Sequence, residues 1–241
     1  MMQIRYVDNH LLVVEKPAGM LSQADRTGDD DVLSLGKAWV GEQFNKPGAV
    51  YLGLVHRLDR PASGLMVLAR TSKAAARLTE QFRVHSVEKR YLAWVQGQPP
   101  ASGSLKDWLL KEDEQVRVVA KGTPGGKEAR LSYEVIHRFD ASALVVIRLQ
   151  TGRPHQVRLQ FSSRGFPLVG DLRYGATQKL DGQNLALHAA ALAVDHPTRK
   201  ERMGWTAPLD ARWPGEIRQA ADSWLFGWSE SAGFQVNAVS L

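Results

Sequence analysis

A single carboxylate, set among cations in a tight turn between two apolar runs, constrains this chain more than any other feature. The segment reads Val55-His56-Arg57-Leu58-Asp59-Arg60-Pro61-Ala62-Ser63-Gly64-Leu65. Before it, Val50, Leu52 and Leu54 alternate as in a half-buried strand. After it, Leu65, Met66, Val67, Leu68 and Ala69 form a continuous apolar run suited to a buried strand. Pro61, Ser63 and Gly64 bring fixed φ, hydroxyl-to-backbone bonding and access to positive φ. Asp59 is thus expected in a loop at a strand end. An isolated Asp in a loop ordinarily ties down its own turn. Arg57 and Arg60 on either side of this one make it a candidate for chemistry instead.

A second basic segment lies about a hundred residues on, Thr151-Gly152-Arg153-Pro154-His155-Gln156-Val157-Arg158. Thr151 and Gly152 can cap a helix, Pro154 suits a first turn, Val157 and Phe161 form an i, i+4 apolar pair, and Gly165 can close the helix in a left-handed conformation. That spacing crowds Arg153, His155 and Arg158 into about one and a half turns. A helix N-terminus with several cations suits a phosphate or a buried carboxylate, whereas the plainer reading is a basic surface turn.

The rest of the chain alternates strand and helix signals without a long linker. Strands are expected at 10–15, 65–70, 91–96, 132–137 and 143–150, and a long apolar strand or helix at 185–194. Helices are expected at 32–43, with Val32, Leu35 and Trp39 on one face, and from a Ser72 cap onward, with Ala75, Leu78 and Phe82 inward. Residues 97–103 and 121–126 read as loops. Strands dominate the middle without regular βαβ alternation, so the fold class is α+β with a mixed sheet. Four tryptophans near the end (Trp205, Trp213, Trp224, Trp228) are expected to close the core rather than stack on bases.

Composition sharpens this only locally. The formal charge of +6 over 241 residues favours polyanionic partners. From Leu54 to Arg90, eight Arg or Lys face three acids, so the excess gathers around Asp59. With no cysteine there is no disulfide or thiolate zinc site, and the histidines lack metal-ligand spacing, so no metal is expected. No run approaches a membrane span, and Leu11-Leu12-Val13-Val14 is cut short by Glu15-Lys16-Pro17, so a soluble, cytoplasmic protein is expected. His56-Arg57-Leu58-Asp59 looks superficially like a kinase catalytic loop, but the chain has neither a glycine-rich phosphate loop nor a D-F-G segment.

Taken together, the two basic segments resemble the RluA-type family of RNA pseudouridine synthases. His56 to Leu65 matches the family form H-R-L-D-x-x-[TS]-S-G-L, with Ala62 departing from it, and Thr151 to Arg158 carries T-G-R-x-H-Q-[IV]-R intact. Gly165 to Gly175 is similar to the block G-x-P-[IL]-x-G-D-x-x-Y-G. Lys16-Pro17-Ala18-Gly19, Lys89-Arg90-Tyr91, Leu187-His188-Ala189 and His196-Pro197 follow in the family's order, over roughly residues 5 to 210. The resemblance implies one catalytic domain over 1–241, with a bent, largely antiparallel mixed sheet whose cleft holds the site, the core at about 5–210 and the Trp-rich segment 204–241 packing on it. No S4 RNA-binding domain is expected.

The resemblance also implies roles. Asp59 is the nucleophile, paired with Arg158, which keeps it ionised, since an opposite charge at contact distance lowers a carboxylate pKa by about 1–3 units. Tyr91 stacks on the uracil and offers a hydroxyl near C5. Arg57 enters the base stack as the uridine flips out. Arg153, His155 and Leu187 bind substrate. The partner is RNA, tRNA or ribosomal RNA, with no cofactor and no membrane, and the protein is expected to be a monomer. Two other classes compete: a catalytically silent RNA-binding module of the same fold, and a glycosidase or nucleosidase. The second needs another carboxylate, for which Glu88 is the nearest candidate.

Overall fold

The computed structural model describes residues 2–113, 115–182 and 184–231; the last ten residues of the Trp-rich segment lie outside them. In chain order the elements are β1 (Gln3–Val7), β2 (Leu11–Lys16), α1 (Val32–Gln43), β3 (Gly53–Leu54), β4 (Ser63–Ala69), α2 (Ser72–Arg83), β5 (Glu88–Gln96), β6 (Ser102–Glu112), β7 (Gln115–Val119), β8 (Lys127–Phe139), β9 (Ser142–Leu149), α3 (Gln156–Ser162), β10 (Leu187–Asp195), β11 (Arg202–Thr206) and α4 (Gly215–Ser231). The α+β class and the largely antiparallel mixed sheet expected from the sequence are found. The chain forms two compact units, Met1–Glu88 with Ala191–Ala207, and Lys89–Ala190 with Pro208–Trp228.

In the first unit β2 pairs antiparallel with β1 and β4, in a register that sets Leu11 opposite Ala69 and Lys16 opposite Gly64. Every residue of β4 is buried, the outcome its unbroken apolar run predicts for a strand covered on both faces. Leu11, Val13, Leu65, Val67, Leu78, Leu192, Val194 and Trp205 make the core. Two helix details differ from expectation. The cap of α2 is Thr71, whose hydroxyl accepts from Ala74 N at 3.1 Å, and Ser72 is the first helical residue. In α1 the fully buried line is Val32, Gly36 and Val40, because a β-carbon at Gly36 would meet Leu52 Cδ2 at 2.9 Å. A hydrophobicity pattern cannot register a glycine chosen for close approach.

The second unit is an antiparallel sheet in the order β5, β9, β8, β6, β7. One face packs Leu92, Leu144 and Val146, with Trp213, against Ile217 and Leu225 of α4. Leu109, Val116 and Ala129 pack with Leu159 of α3. Trp205 and Trp213 are buried, one in each core, as expected for residues that close a core.

A polar latch closes the first unit. Asp8 Oδ1 accepts from the N–H groups of His10 and Leu11, each at 2.7 Å, while Oδ2 accepts from Tyr6 Oη at 2.9 Å and His196 Nε2 at 2.7 Å. His196 Nδ1 accepts from the N–H groups of Thr198 and Arg199, which leaves the ring proton on Nε2. The latch therefore fastens the β1–β2 turn to the β10–β11 turn. Burial raises the Asp8 pKa, but these donors outweigh it and hold the carboxyl below its usual value. A depressed folded pKa stabilises above the unfolded value, and that contribution is lost as pH falls through the folded pKa. Asp8→Asn should thus cost about 1–3 kcal/mol at pH 7 and less at pH 3, below the unfolded pKa, read by urea unfolding at both pH values. An equal penalty at the two would contradict the assignment.

Candidate active site

The Asp59 loop fills the gap between β3 and β4, and its backbone is clamped on both sides of the carboxylate. On one side, Ser22 Oγ donates to Leu58 O at 2.8 Å and accepts from Leu58 N at 3.1 Å. On the other, the Arg60 carbonyl accepts from Lys16 Nζ at 3.1 Å and from Gly19 N at 2.8 Å. Lys16 is fully buried, and its ammonium also donates to the carbonyls of Pro17 at 3.1 Å and Met20 at 2.8 Å. Ala62 N closes the turn onto Asp59 O at 3.1 Å, and Gly64 takes φ +115°, the positive value its position in the motif suggests. Of the flanking cations, Arg57 is exposed, whereas Arg60 bonds Gly19 O at 3.0 Å and Asp29 Oδ2 at 2.7 Å.

The second unit holds the remaining predicted residues. Tyr91 is buried on β5 opposite Ile147. Lys89, two residues earlier, shares its face of the strand. Burial pushes the Lys89 ammonium below its usual pKa, and its Nζ lies 3.9 Å from where a β-carbon on Gly152 would stand. Leu187 opens β10 and is buried.

The helix after Thr151 begins later than its sequence suggests. Thr151 and Gly152 do not cap it and Pro154 is not in its first turn; α3 starts at Gln156, after His155 at φ +52°. Gln156 explains this. Its Oε1 accepts from Thr151 Oγ1 at 2.7 Å and Arg153 N at 3.0 Å, and its Nε2 donates to Arg130 O at 3.0 Å, so residues 151–155 are pinned as a turn on β8. With α3 only seven residues long and the Arg153 N–H taken up, an anion site at a helix N-terminus is not what this segment builds.

The three cationic candidates of this segment differ in their surroundings. Arg153 Nε donates to Glu128 O at 2.9 Å, and His155 Nδ1 lies 2.7 Å from Tyr174 Oη. Arg158 is buried and makes a bidentate pair with Asp171, Nε to Oδ2 at 2.7 Å and Nη2 to Oδ1 at 2.8 Å, with its guanidinium 4.8 Å from the Tyr174 ring centre. The structure thus gathers Arg158, His155, Asp171 and Tyr174 in one network. Sequence reasoning missed Asp171, Gln156, Lys16 and Ser22 as supports. Asp171 and Lys16 were signalled only by their place in the G-D-x-x-Y-G and K-P-x-G blocks. Glu88, the candidate second carboxylate, lies 4.0 Å from Arg202 Nη2, as expected of a surface pair.

Removing Asp171 costs the buried Arg158 guanidinium both hydrogen bonds of its bidentate pair. Asp171→Ala should therefore destabilise the protein by about 3–5 kcal/mol in urea unfolding, and Asp171→Ala with Arg158→Met should recover much of that loss. A double variant no better than the single one would show that the charges are not coupled.

Comparison with known proteins follows this geometry. Residues 10–163 match the model of the RNA pseudouridylate synthase family. The chain is 36% identical over 221 residues to the ribosomal large subunit pseudouridine synthase D of Zymomonas mobilis, covering 86% of this chain and 69% of that protein. It is 36% identical over 215 residues to the ribosomal large subunit pseudouridine synthase C of Yersinia pestis, covering 86% and 65%. In structure it resembles human RNA pseudouridylate synthase domain containing 4, with a TM-score of 0.73, 24% identity, and coverage of 90% and 91% of the two chains.

Proposed function

Because this chain belongs to the RNA pseudouridylate synthase family, we propose that it converts a uridine of large-subunit ribosomal RNA to pseudouridine, with Asp59 as the nucleophile acting on a flipped-out nucleotide. The observation that carries this reading is the doubly clamped Asp59 loop. A carboxylate whose neighbours Leu58 and Arg60 are both fixed by side chains from residues 16–22 is preorganised for attack. Both relatives are named for the ribosomal large subunit, which favours that RNA over tRNA.

Isomerisation breaks the bond from ribose C1′ to N1 of uracil and makes one from C1′ to C5. The C5 proton leaves, and N1 gains one. No outside reactant is consumed, so the chain must supply a nucleophile, a proton acceptor and a pocket that keeps the detached base. Asp59 takes the first role, at the sugar or at the base, and Arg158 is the cation of the catalytic set. Tyr91 presents a flat face to the uracil and a hydroxyl for the C5 proton. Arg57, exposed on the same loop as Asp59, fills the stack left by the flipped base. Arg153 and His155 shape the turn beside Lys89, and Leu187 packs on the base. Among the described residues no cluster of His, Cys, Asp or Glu suits a metal ion, and no helix is long and apolar enough to cross a membrane.

Asp59→Ala should abolish pseudouridine formation while RNA affinity stays within about threefold, because phosphate contacts rest on separate cations. The measurement is pseudouridine and free uracil released from large-subunit and tRNA transcripts. Wild-type turnover by the variant would overturn the nucleophile assignment, free uracil as the wild-type product would point to a nucleosidase, and modification of tRNA alone would overturn the substrate.

Affinity should also fall with salt less steeply than the count of cations near Asp59 implies. Arg60 and Arg83 already pair with the carboxylates of Asp29 and Glu80. Each neutralised phosphate adds about 0.7–0.9 to the log–log slope. A slope below about 5 in filter binding at varied potassium chloride is expected, and one above about 6 would show that these two cations turn to the RNA.

A further inference from the structure

We propose that His56 is a positioning residue for the Asp59 loop, acting through a fixed neutral tautomer; this rests on Asp59 being the reacting carboxylate. β3 pairs with β4 only at Gly53 with Ala69 and Leu54 with Leu68. One rung further, the chain leaves the sheet. There the Val67 N–H donates not to a main-chain carbonyl of the departing strand but to His56 Nε2, at 2.9 Å. Val67 is fully buried, so an N–H left without an acceptor at that rung would carry its whole desolvation cost. The imidazole nitrogen stands in for the missing carbonyl.

Two consequences follow from that bond. A nitrogen that accepts cannot carry a proton, so the neutral His56 ring bears its hydrogen on Nδ1. Phe82 of α2 stacks on the ring with centres 4.7 Å apart and planes 23° apart, fixing its rotation. His56 is thereby tied to β4 and α2 three residues before Asp59. Between them, Leu58 is held at both main-chain atoms by Ser22. The start of the loop, and with it the carboxylate, takes its place from where His56 allows the strand to end.

Gln places an acceptor oxygen about as far from the backbone as Nε2, whereas the amide oxygen of Asn falls short. His56→Asn should lower kcat by about 100-fold, the loss expected from roughly 1 Å of misplacement. KM and RNA affinity should stay within about threefold. His56→Gln should return kcat to within about tenfold of wild type. In the wild-type protein, nitrogen-15 spectra of the ring should show the Nδ1–H tautomer. A ring protonated at Nε2, wild-type kcat in His56→Asn, or equal loss in both variants would overturn the proposal. The tautomer is read without turnover, so a failed Asp59 assignment, seen as an active Asp59→Ala, is distinguishable from a failed His56 assignment.

Discussion

The Lys16 ammonium, buried and surrounded by main-chain carbonyls, is the interaction on which the candidate nucleophile's position depends. An ammonium removed from water is costly unless hydrogen bonds replace its hydration, and Pro17, Met20 and Arg60 supply three. Two of those carbonyls belong to the turn just after Lys16, and the third lies on the far side of Asp59. That third bond forms only when the two segments meet. The register that sets Lys16 opposite Gly64 brings the lysine to the base of the loop. A local sequence feature, a lysine before a proline, thus fixes a distant loop through its need for solvation.

The polar network of the second unit works differently. Arg158 and Asp171 form a buried bidentate pair, and Tyr174 lies against the guanidinium while its hydroxyl meets His155. A buried pair of this kind adds little net stability over an apolar substitute, because desolvation offsets the attraction. Its effect is geometric. The planar fork of Arg158 meets both Asp171 oxygens, which fixes α3 against the segment that follows it.

Much of this was legible in the sequence, and the boundary of legibility has a physical cause. The unbroken apolar run of β10 fits a strand or a buried helix alike, whereas β2, β4, β5 and β9 were readable because their apolar residues run or alternate at strand period. β6 and β7 were not, since Lys106, Asp107, Lys111 and Arg117 interrupt any period while the pairing partners lie elsewhere in the chain. The inward line of α1 was misjudged because Gly36 contributes closeness instead of apolar area. At the site, Asp59, Tyr91 and Arg158 were found through motif resemblance. Lys16, Ser22 and Asp171 stayed hidden as supports because Arg60, Leu58 and Arg158, which they hold, lie at a distance in sequence, and Gln156 because a local pattern does not record which hydrogen bonds a side chain makes.

The latch between Asp8 and His196 joins residues 188 positions apart, which bears on how the chain is made. Both units are discontinuous: the β1–β2 turn of the first is complete only when residues 191–207 have been synthesised, and the second, built on Lys89–Ala190, gains α4 only with residues 208–228. At about 5–20 residues per second, Asp8 waits roughly 10–40 s on the ribosome for its histidine. During that interval neither core is whole: the segment bearing Asp59 lacks the strands that finish its own, and the intervening sheet lacks the helix that covers one of its faces. Closure of both units is therefore deferred to the last part of translation, and the first-made segment must wait for a partner from near the other end.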